Sequence, residues 1–132
     1  MRLGECETNL CFISVLFGIY LLGMSNTDKL TEALIQFRNE RDWEQFHNPK
    51  DLAIALSLEA GELLENFLWK QPQDADVSKI KEELAEVLAY ALLIAKHYDL
   101  NVEDIVLDKI AKNALKYPAD KAKGSAKKYT EL

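Results

Sequence analysis

Two stretches of the sequence each carry a pair of glutamates three residues apart. The pairs are Glu59 and Glu62 in LEAGELLENF, and Glu83 and Glu86 in KEELAEVLAY. Residues at i and i+3 lie on the same side of an α-helix, so each pair presents two carboxylates together. Glu86 is the only charge in the run LAEVLAYALLIA. A carboxylate in such apolar surroundings is costly unless a cation, a proton or water accompanies it.

Four carboxylates would converge if the two helices faced each other, and like charges that close do not all stay ionised without cations. Ligands that are all oxygen suit Mg²⁺ or Mn²⁺ better than zinc. Gly61 lies inside the first pair, where glycine costs about 1 kcal/mol relative to alanine. We therefore expect another backbone or a ligand to approach closely there. The alternative, that these glutamates are merely solvated, stays open at this point.

The elements that must position these residues are helices, because the chain from Met24 shows helical periodicity and no alternating strand pattern. The predicted spans are about Thr27 to Glu40, Pro49 to Lys70, Ser78 to Tyr98 and Val102 to Lys116. Cap and stop residues support these limits, notably Asn48, Asn101 and Pro118. The predicted fold class is all-α, a four-helix bundle. The third helix is apolar almost all round, so we expect an oligomer.

Residues 1–23 form a separate apolar segment that includes LCFISVLFGIYLLG. This run is too short to cross a bilayer, which takes about 20 residues, and it has no small-residue cleavage site of a signal peptide. Three interpretations remain open: an upstream mis-start before Met24, an accessory extension, or a weak anchor. The predicted functional domain is residues 24–132.

Length, net charge and the positions of cysteine and lysine limit the classes of function that this sequence fits. A length of 132 residues predicts one domain, and the formal net charge of −6 argues against binding to nucleic-acid polymers. The two cysteines, Cys6 and Cys11, make neither a disulfide framework nor a CxxC metal site, so a cytoplasmic location is expected. Lysines are concentrated near the C-terminus, seven against two acidic residues from Lys109 onward. An acidic centre with a basic arm suits a small anionic ligand bridged by metal.

Three separated runs carry a resemblance to a known family: FRNERDWEQFHNPKDLAIALSLEAGELLENFLWK, KEELAEVLAY and KIAKNALKYPADKAKGSAKKYTEL. Together they resemble the MazG-like nucleotide pyrophosphohydrolases, most closely the dCTP pyrophosphatase branch of the all-α NTP pyrophosphatase superfamily. The resemblance implies Mg²⁺-dependent hydrolysis of a (deoxy)nucleoside triphosphate, dCTP or a modified cytosine nucleotide, to the monophosphate and pyrophosphate, as a pool-cleansing activity. It also implies a homo-oligomer, for which we predict a tetramer built as a dimer of dimers.

The family pattern is ExxE, a spacer and ExxD, with all four carboxylates binding Mg²⁺. Carried over by position, the resemblance implies metal-binding and catalytic roles for Glu59, Glu62, Glu83 and Glu86. Glu86 departs from the pattern, because the family has aspartate there. The extra methylene shifts the carboxylate oxygens by about 1 to 1.5 Å, enough to affect metal geometry or rate.

The resemblance also assigns substrate contacts. Trp43 and Trp69 would enclose the base, Tyr90 would lie over the sugar, and Lys109, Asn113 and Lys116 would bind phosphate and base from one helix face. Each has a structural alternative that stays open: a tryptophan or Tyr90 filling the core, or a solvated basic stripe near a helix C-terminus.

Carboxylates on helices are also compatible with two other functions. A ferritin-like di-metal bundle needs Glu-x-x-His on two helices, but Glu65 and Ala89 occupy the required positions. A non-catalytic helical module that binds nucleotides or partners, with Glu86 marking lost turnover, remains open.

Overall fold

The computed structural model describes residues 23–131. The apolar N-terminal segment, with the interpretations given to it, therefore lies outside the described residues except for Gly23. Within the described range, no helix combines the length and the apolar character that a membrane crossing requires.

The described chain is built from helices and turns, without a strand. Four long helices are followed by one short helix: α1 Asn26–Asn39, α2 Pro49–Glu65, α3 Val77–His97, α4 Val102–Lys116 and α5 Ala119–Ala122. Single 3₁₀ turns occur at Glu44–Phe46, Pro72–Asp74 and Tyr129–Glu131. The predicted all-α fold class is confirmed.

Side-chain caps fix where the helices begin. In α1, α2 and α4 a side-chain oxygen accepts the N–H three residues later, in the pairs Ser25–Asp28, Asn48–Asp51 and Asn101–Asp104 at 3.2, 3.0 and 3.1 Å. Such caps satisfy N–H groups that have no partner inside the helix. In α3 the cap is Asp76, which accepts the N–H of Ser78 at 2.9 Å. The helix therefore starts at Val77, one residue before the predicted start.

Helix α2 ends at Glu65, and the prediction that it continues to Lys70 is wrong. The Asn66 side chain donates to the carbonyl of Glu62 at 3.0 Å. Beyond it, backbone N–H groups reach back only three residues, in the tighter pattern of turns. Trp69 then has a φ of 60°, in the left-handed region that ends a regular helix.

Helix α3 is the centre of the fold. Helix α2 packs along it with the most extensive contact among the described elements, and α1 packs on it as well. The buried apolar residues are few, namely Leu52 of α2 and Leu92, Leu93 and Ala95 of α3. Helix α4 buries no residue and makes only sparse contacts with the rest of the described chain. A single copy thus leaves much apolar surface uncovered.

Candidate functional site

Three glutamates meet where α2 packs on α3. Glu59, Glu62 and Glu83 offer carboxylate oxygens that all lie within 4.8 Å of one another. Glu59 and Glu83 are half-buried, and Glu62 is exposed. The i, i+3 spacing places Glu59 and Glu62 on one side of α2, and the contact between the helices brings Glu83 opposite them. We call these three residues the carboxylate group.

The electrostatics of the carboxylate group favour a cation. The pKa of Glu59 is raised, first by burial and then by the negative charges of Glu62, Glu86 and Glu83. Each cause penalises the ionised form of the carboxyl. A divalent cation among the oxygens would relieve the repulsion, and hard cations such as Mg²⁺ prefer oxygen ligands. The donor set therefore fits the metal that the resemblance implies.

Glu86 lies beside the carboxylate group but not in it. Its negative charge is one of the causes that raise the pKa of Glu59. The pKa of Tyr90 is raised mainly by burial and next by the charge of Glu86. The side chain of Glu86 is exposed, contrary to the expectation of a carboxylate enclosed by apolar residues. The reason is that its apolar neighbours on α3 are themselves uncovered in one chain, as with Leu84 and Leu88.

The surroundings of Gly61 also differ from the expectation. A Cβ added there would meet nothing within 4 Å. Within the described chain, no backbone approaches this glycine closely, so its place between Glu59 and Glu62 faces open space.

Trp43 lies in an aromatic cluster after α1. Its ring meets Phe37 edge-on, with centroids 5.8 Å apart, and lies 6.5 Å from the ring of His47. Arg38 pairs with Glu44 at 3.1 Å and braces this loop. The buried Nδ1 of His47 has no hydrogen-bond partner within the described chain, and burial followed by the charge of Arg38 lowers its pKa.

Trp69 is placed differently. Its side chain is 100 % exposed and its backbone is left-handed. In the described range no aromatic ring pairs with it, and that of Trp43 pairs instead with Phe37 and His47. Nothing in the sequence signalled this conformation, because bulky residues rarely adopt it.

The basic row on α4 makes no ion pair with the carboxylate group in the described chain. Lys109, Asn113 and Lys116 are all exposed, and neither lysine makes an ion pair with a carboxylate in residues 23–131. Sequence reasoning did not identify the partner that Lys116 does have. Its ammonium lies 5.4 Å from the ring centroid of Tyr129, near the end of the chain.

This fold and this sequence are similar to those of known proteins. The chain aligns with a pyrophosphatase from Archaeoglobus fulgidus with a TM-score of 0.67 and 34 % identity, covering 72 % of this chain and 94 % of that one. It is 42 % identical to human dCTP pyrophosphatase 1 and 39 % identical to the rat protein of that name, each over 105 residues. Both alignments cover 74 % of this chain and 62 % of the relative. The chain thus matches about three fifths of the length of these mammalian relatives.

The sequence profile of one family covers more than half of the chain. It matches residues 54–132, a range that contains α3 and α4 entirely and the carboxylate group. The agreement of profile, relatives and fold leads to one identification: the chain belongs to the MazG-like family.

Proposed function

We propose that this protein is a Mg²⁺-dependent nucleoside triphosphate pyrophosphohydrolase that converts dCTP, or a modified cytosine nucleotide, to the monophosphate and pyrophosphate. The observation that carries the proposal is the carboxylate group, three glutamates from two packed helices with oxygens within 4.8 Å. The dCTP pyrophosphatases among the relatives support the substrate class. Such an activity would cleanse the nucleotide pool.

Glu59, Glu62 and Glu83 would hold the divalent ion, Mg²⁺ or alternatively Mn²⁺, with Glu86 beside them. When bound, the ion supplies positive charge that offsets the charge of the phosphate oxygens and makes water more acidic. The reaction adds one water across the α–β phosphoanhydride, so the oxygen bonds to the α-phosphorus and pyrophosphate leaves. It needs no nucleophilic side chain, and the described residues include no cysteine.

The remaining residues would bind the substrate. Trp43 and Trp69 would stack on the base, an interaction worth about 1 to 3 kcal/mol per base. Tyr90 would lie over the sugar. Burial and the nearby charges of Glu86 and Glu59 raise the pKa of its hydroxyl. The lysines and the amide of α4, Lys109, Lys116 and Asn113, would bind phosphate oxygens through charge-assisted hydrogen bonds.

The assembly we propose is a homotetramer, a dimer of dimers. A cavity of about 400 Å³ between α1 and α3 is lined by apolar residues alone, among them Leu30, Phe37 and Leu88. Apolar surface of this kind on one chain marks a contact surface. An assembly would also give α4 and Trp69 something to pack on. We place the protein in the cytoplasm, since Cys6 and Cys11 offer no disulfide framework.

The test is a survey of deoxynucleoside triphosphates with the full chain, Mg²⁺ and chromatographic product analysis. We expect dCMP and pyrophosphate, with turnover abolished by EDTA. Glu83→Gln should lower turnover about 100-fold or more, as expected for a lost metal ligand. Its matched control is Glu82→Gln, because Glu82 is the adjacent exposed carboxylate and lies outside the carboxylate group. Release of phosphate in place of pyrophosphate, or no release from any substrate, would contradict the proposal.

One observation favours a second candidate, a non-catalytic nucleotide-binding module. Glu86 replaces the family aspartate and lies outside the carboxylate group. If that position has lost its catalytic role, calorimetry will show nucleotide binding while the product assay shows no turnover. The same result in Glu86→Asp would establish the module.

A further inference from the structure

The C-terminal segment folds back onto the end of α4. Gly124 has a φ of 74°, which only glycine adopts easily, and it lies where the chain reverses after α5. The Tyr129 ring then meets the Tyr117 ring edge-on, with centroids 6.0 Å apart and planes at 82°. On the same ring, the ammonium of Lys116 lies 5.4 Å from the centroid. One tail residue thus contacts Lys116, the last residue of α4, and Tyr117, which caps that helix.

The geometry around Lys116 is that of a cation held by an aromatic ring. An ammonium within about 6 Å of a ring centroid is attracted by the electrons of the ring face. Tyr117, edge-on, limits the motion of the Tyr129 ring and therefore of the cation beside it.

The ammonium of Lys116 has no carboxylate partner in the described chain. In the described part of the chain, no carboxylate lies within 4 Å of its ammonium, although the tail contains Asp120 and Glu131. A carboxylate partner would compete with an incoming anion, whereas a neutral ring restrains the cation and leaves its charge available. Lys116 is therefore restrained and not neutralised.

We propose that Tyr129 is a positioning residue for the polyphosphate of the substrate, acting through Lys116. This inference rests on the proposed function, in which Lys116 binds phosphate oxygens. The ring reduces the number of side-chain conformations that Lys116 would lose on binding a phosphate. The hydroxyl of Tyr129 has no part in this role, because the ring face makes the contact.

The competing explanation is that Tyr129 only anchors the tail. Two variants separate the alternatives. Tyr129→Phe keeps the ring, and Tyr129→Leu keeps apolar bulk but removes the ring face. A tail anchor requires only apolar bulk, so Tyr129→Leu would leave substrate binding unchanged, whereas a positioning residue predicts a substrate effect that phenylalanine rescues. Tyr98→Leu is the matched control, since Tyr98 is similarly exposed and its ring pairs with His97 away from Lys116.

The experiment measures KM and kcat for dCTP, together with calorimetric binding of inorganic tripolyphosphate. A cation–π contact at an exposed site is worth about 0.5 to 1 kcal/mol, which corresponds to about a 2- to 5-fold change. We expect Tyr129→Leu to raise KM and weaken tripolyphosphate binding by that factor, with kcat unchanged. Tyr129→Phe and Tyr98→Leu should match the native protein.

A double variant completes the test. Lys116→Met should raise KM more than Tyr129→Leu does, and combining the two should add nothing to Lys116→Met alone. Additive effects, or a KM and tripolyphosphate binding that Tyr129→Leu leaves unchanged, would overturn the inference while leaving the proposed hydrolysis intact. If no nucleotide is hydrolysed, the proposed function fails, and tripolyphosphate binding by the same variants still decides the role of Tyr129.

Discussion

Glu59 of α2 and Glu83 of α3 bring carboxylate oxygens within 4.8 Å of each other, with Glu62 completing the group. This proximity has a cost in the metal-free protein, because the charges repel and Glu59 is partly removed from water. Because the carboxylates repel one another without a metal, a bound cation would stabilise this site strongly. The same repulsion makes the metal-free protein sensitive to pH.

The first prediction concerns that pH dependence. The pKa of Glu59 is raised above its ordinary value of 4.5, so the folded state binds this proton more tightly than the unfolded state does. The free energy of unfolding, measured by urea denaturation in EDTA, should therefore fall as the pH rises from about 4.5 through the raised pKa. Glu59→Gln should lack this component and be more stable than the native protein at pH 7.

The control for this prediction is Mg²⁺. Ligand at 100 times its Kd stabilises a folded protein by about 2.7 kcal/mol, so Mg²⁺ should stabilise the native protein by that order and Glu59→Gln much less. If the difference in the free energy of unfolding between the two proteins does not change with pH, the pKa of Glu59 is not raised in the folded state.

The second prediction concerns Gly61. Because an added Cβ would meet nothing within 4 Å, Gly61→Ala should raise the free energy of unfolding by about 0.5 to 1 kcal/mol, the difference in helix propensity. Urea midpoints in EDTA measure this, with Ala60→Gly as the opposite change one residue away. Destabilisation by Gly61→Ala would mean that a second copy occupies the space, since EDTA excludes a bound metal.

Much of the carboxylate group was predictable from sequence, for a reason visible in the helices themselves. A period of 3.6 residues fixes which side chains share a face, so Glu59 and Glu62 had to project together once α2 formed. The starts of α2 and α4 were equally predictable, because Asn48 and Asn101 cap them through local hydrogen bonds. Such features depend only on residues three or four apart.

Two kinds of feature were not predictable, namely a local break that the helical pattern does not show and contacts between distant parts of the chain. The end of α2 is set by the side chain of Asn66 and by the left-handed backbone of Trp69, neither of which the helical pattern of LENFLWK indicates. The exposure of Glu86 depends on what covers α3, and the partnership of Lys116 with Tyr129 depends on how the tail returns.

The third prediction concerns Trp69. A left-handed backbone costs an ordinary residue about 1 to 2 kcal/mol, whereas glycine adopts it freely but loses about 0.5 to 1 kcal/mol through entropy. Because the indole is fully exposed in one chain, Trp69→Gly should change the free energy of unfolding by less than about 1 kcal/mol. If the indole stacks on the base, KM for dCTP should rise about 5-fold or more.

The matched variant for Trp69 is Trp43→Ala. It removes the edge-on contact with Phe37 and should therefore lower stability as well as substrate affinity. Urea denaturation and steady-state kinetics on both variants provide the comparison. A large stability loss in Trp69→Gly without a KM change would assign Trp69 to assembly and not to the base.

The fourth prediction concerns Glu86, which is exposed and lies outside the carboxylate group while its charge still acts on Glu59. Since three other carboxylates can hold the ion, Glu86→Gln should weaken Mn²⁺ binding less than Glu83→Gln does. Calorimetry without nucleotide measures this binding. Glu86→Gln should nevertheless lower turnover, because a negative charge beside the group is lost. Glu86→Asp keeps that charge, so its turnover should stay within about 10-fold of native. If Glu86→Asp raises turnover more than about 10-fold, the longer side chain of Glu86 impairs catalysis in the native protein.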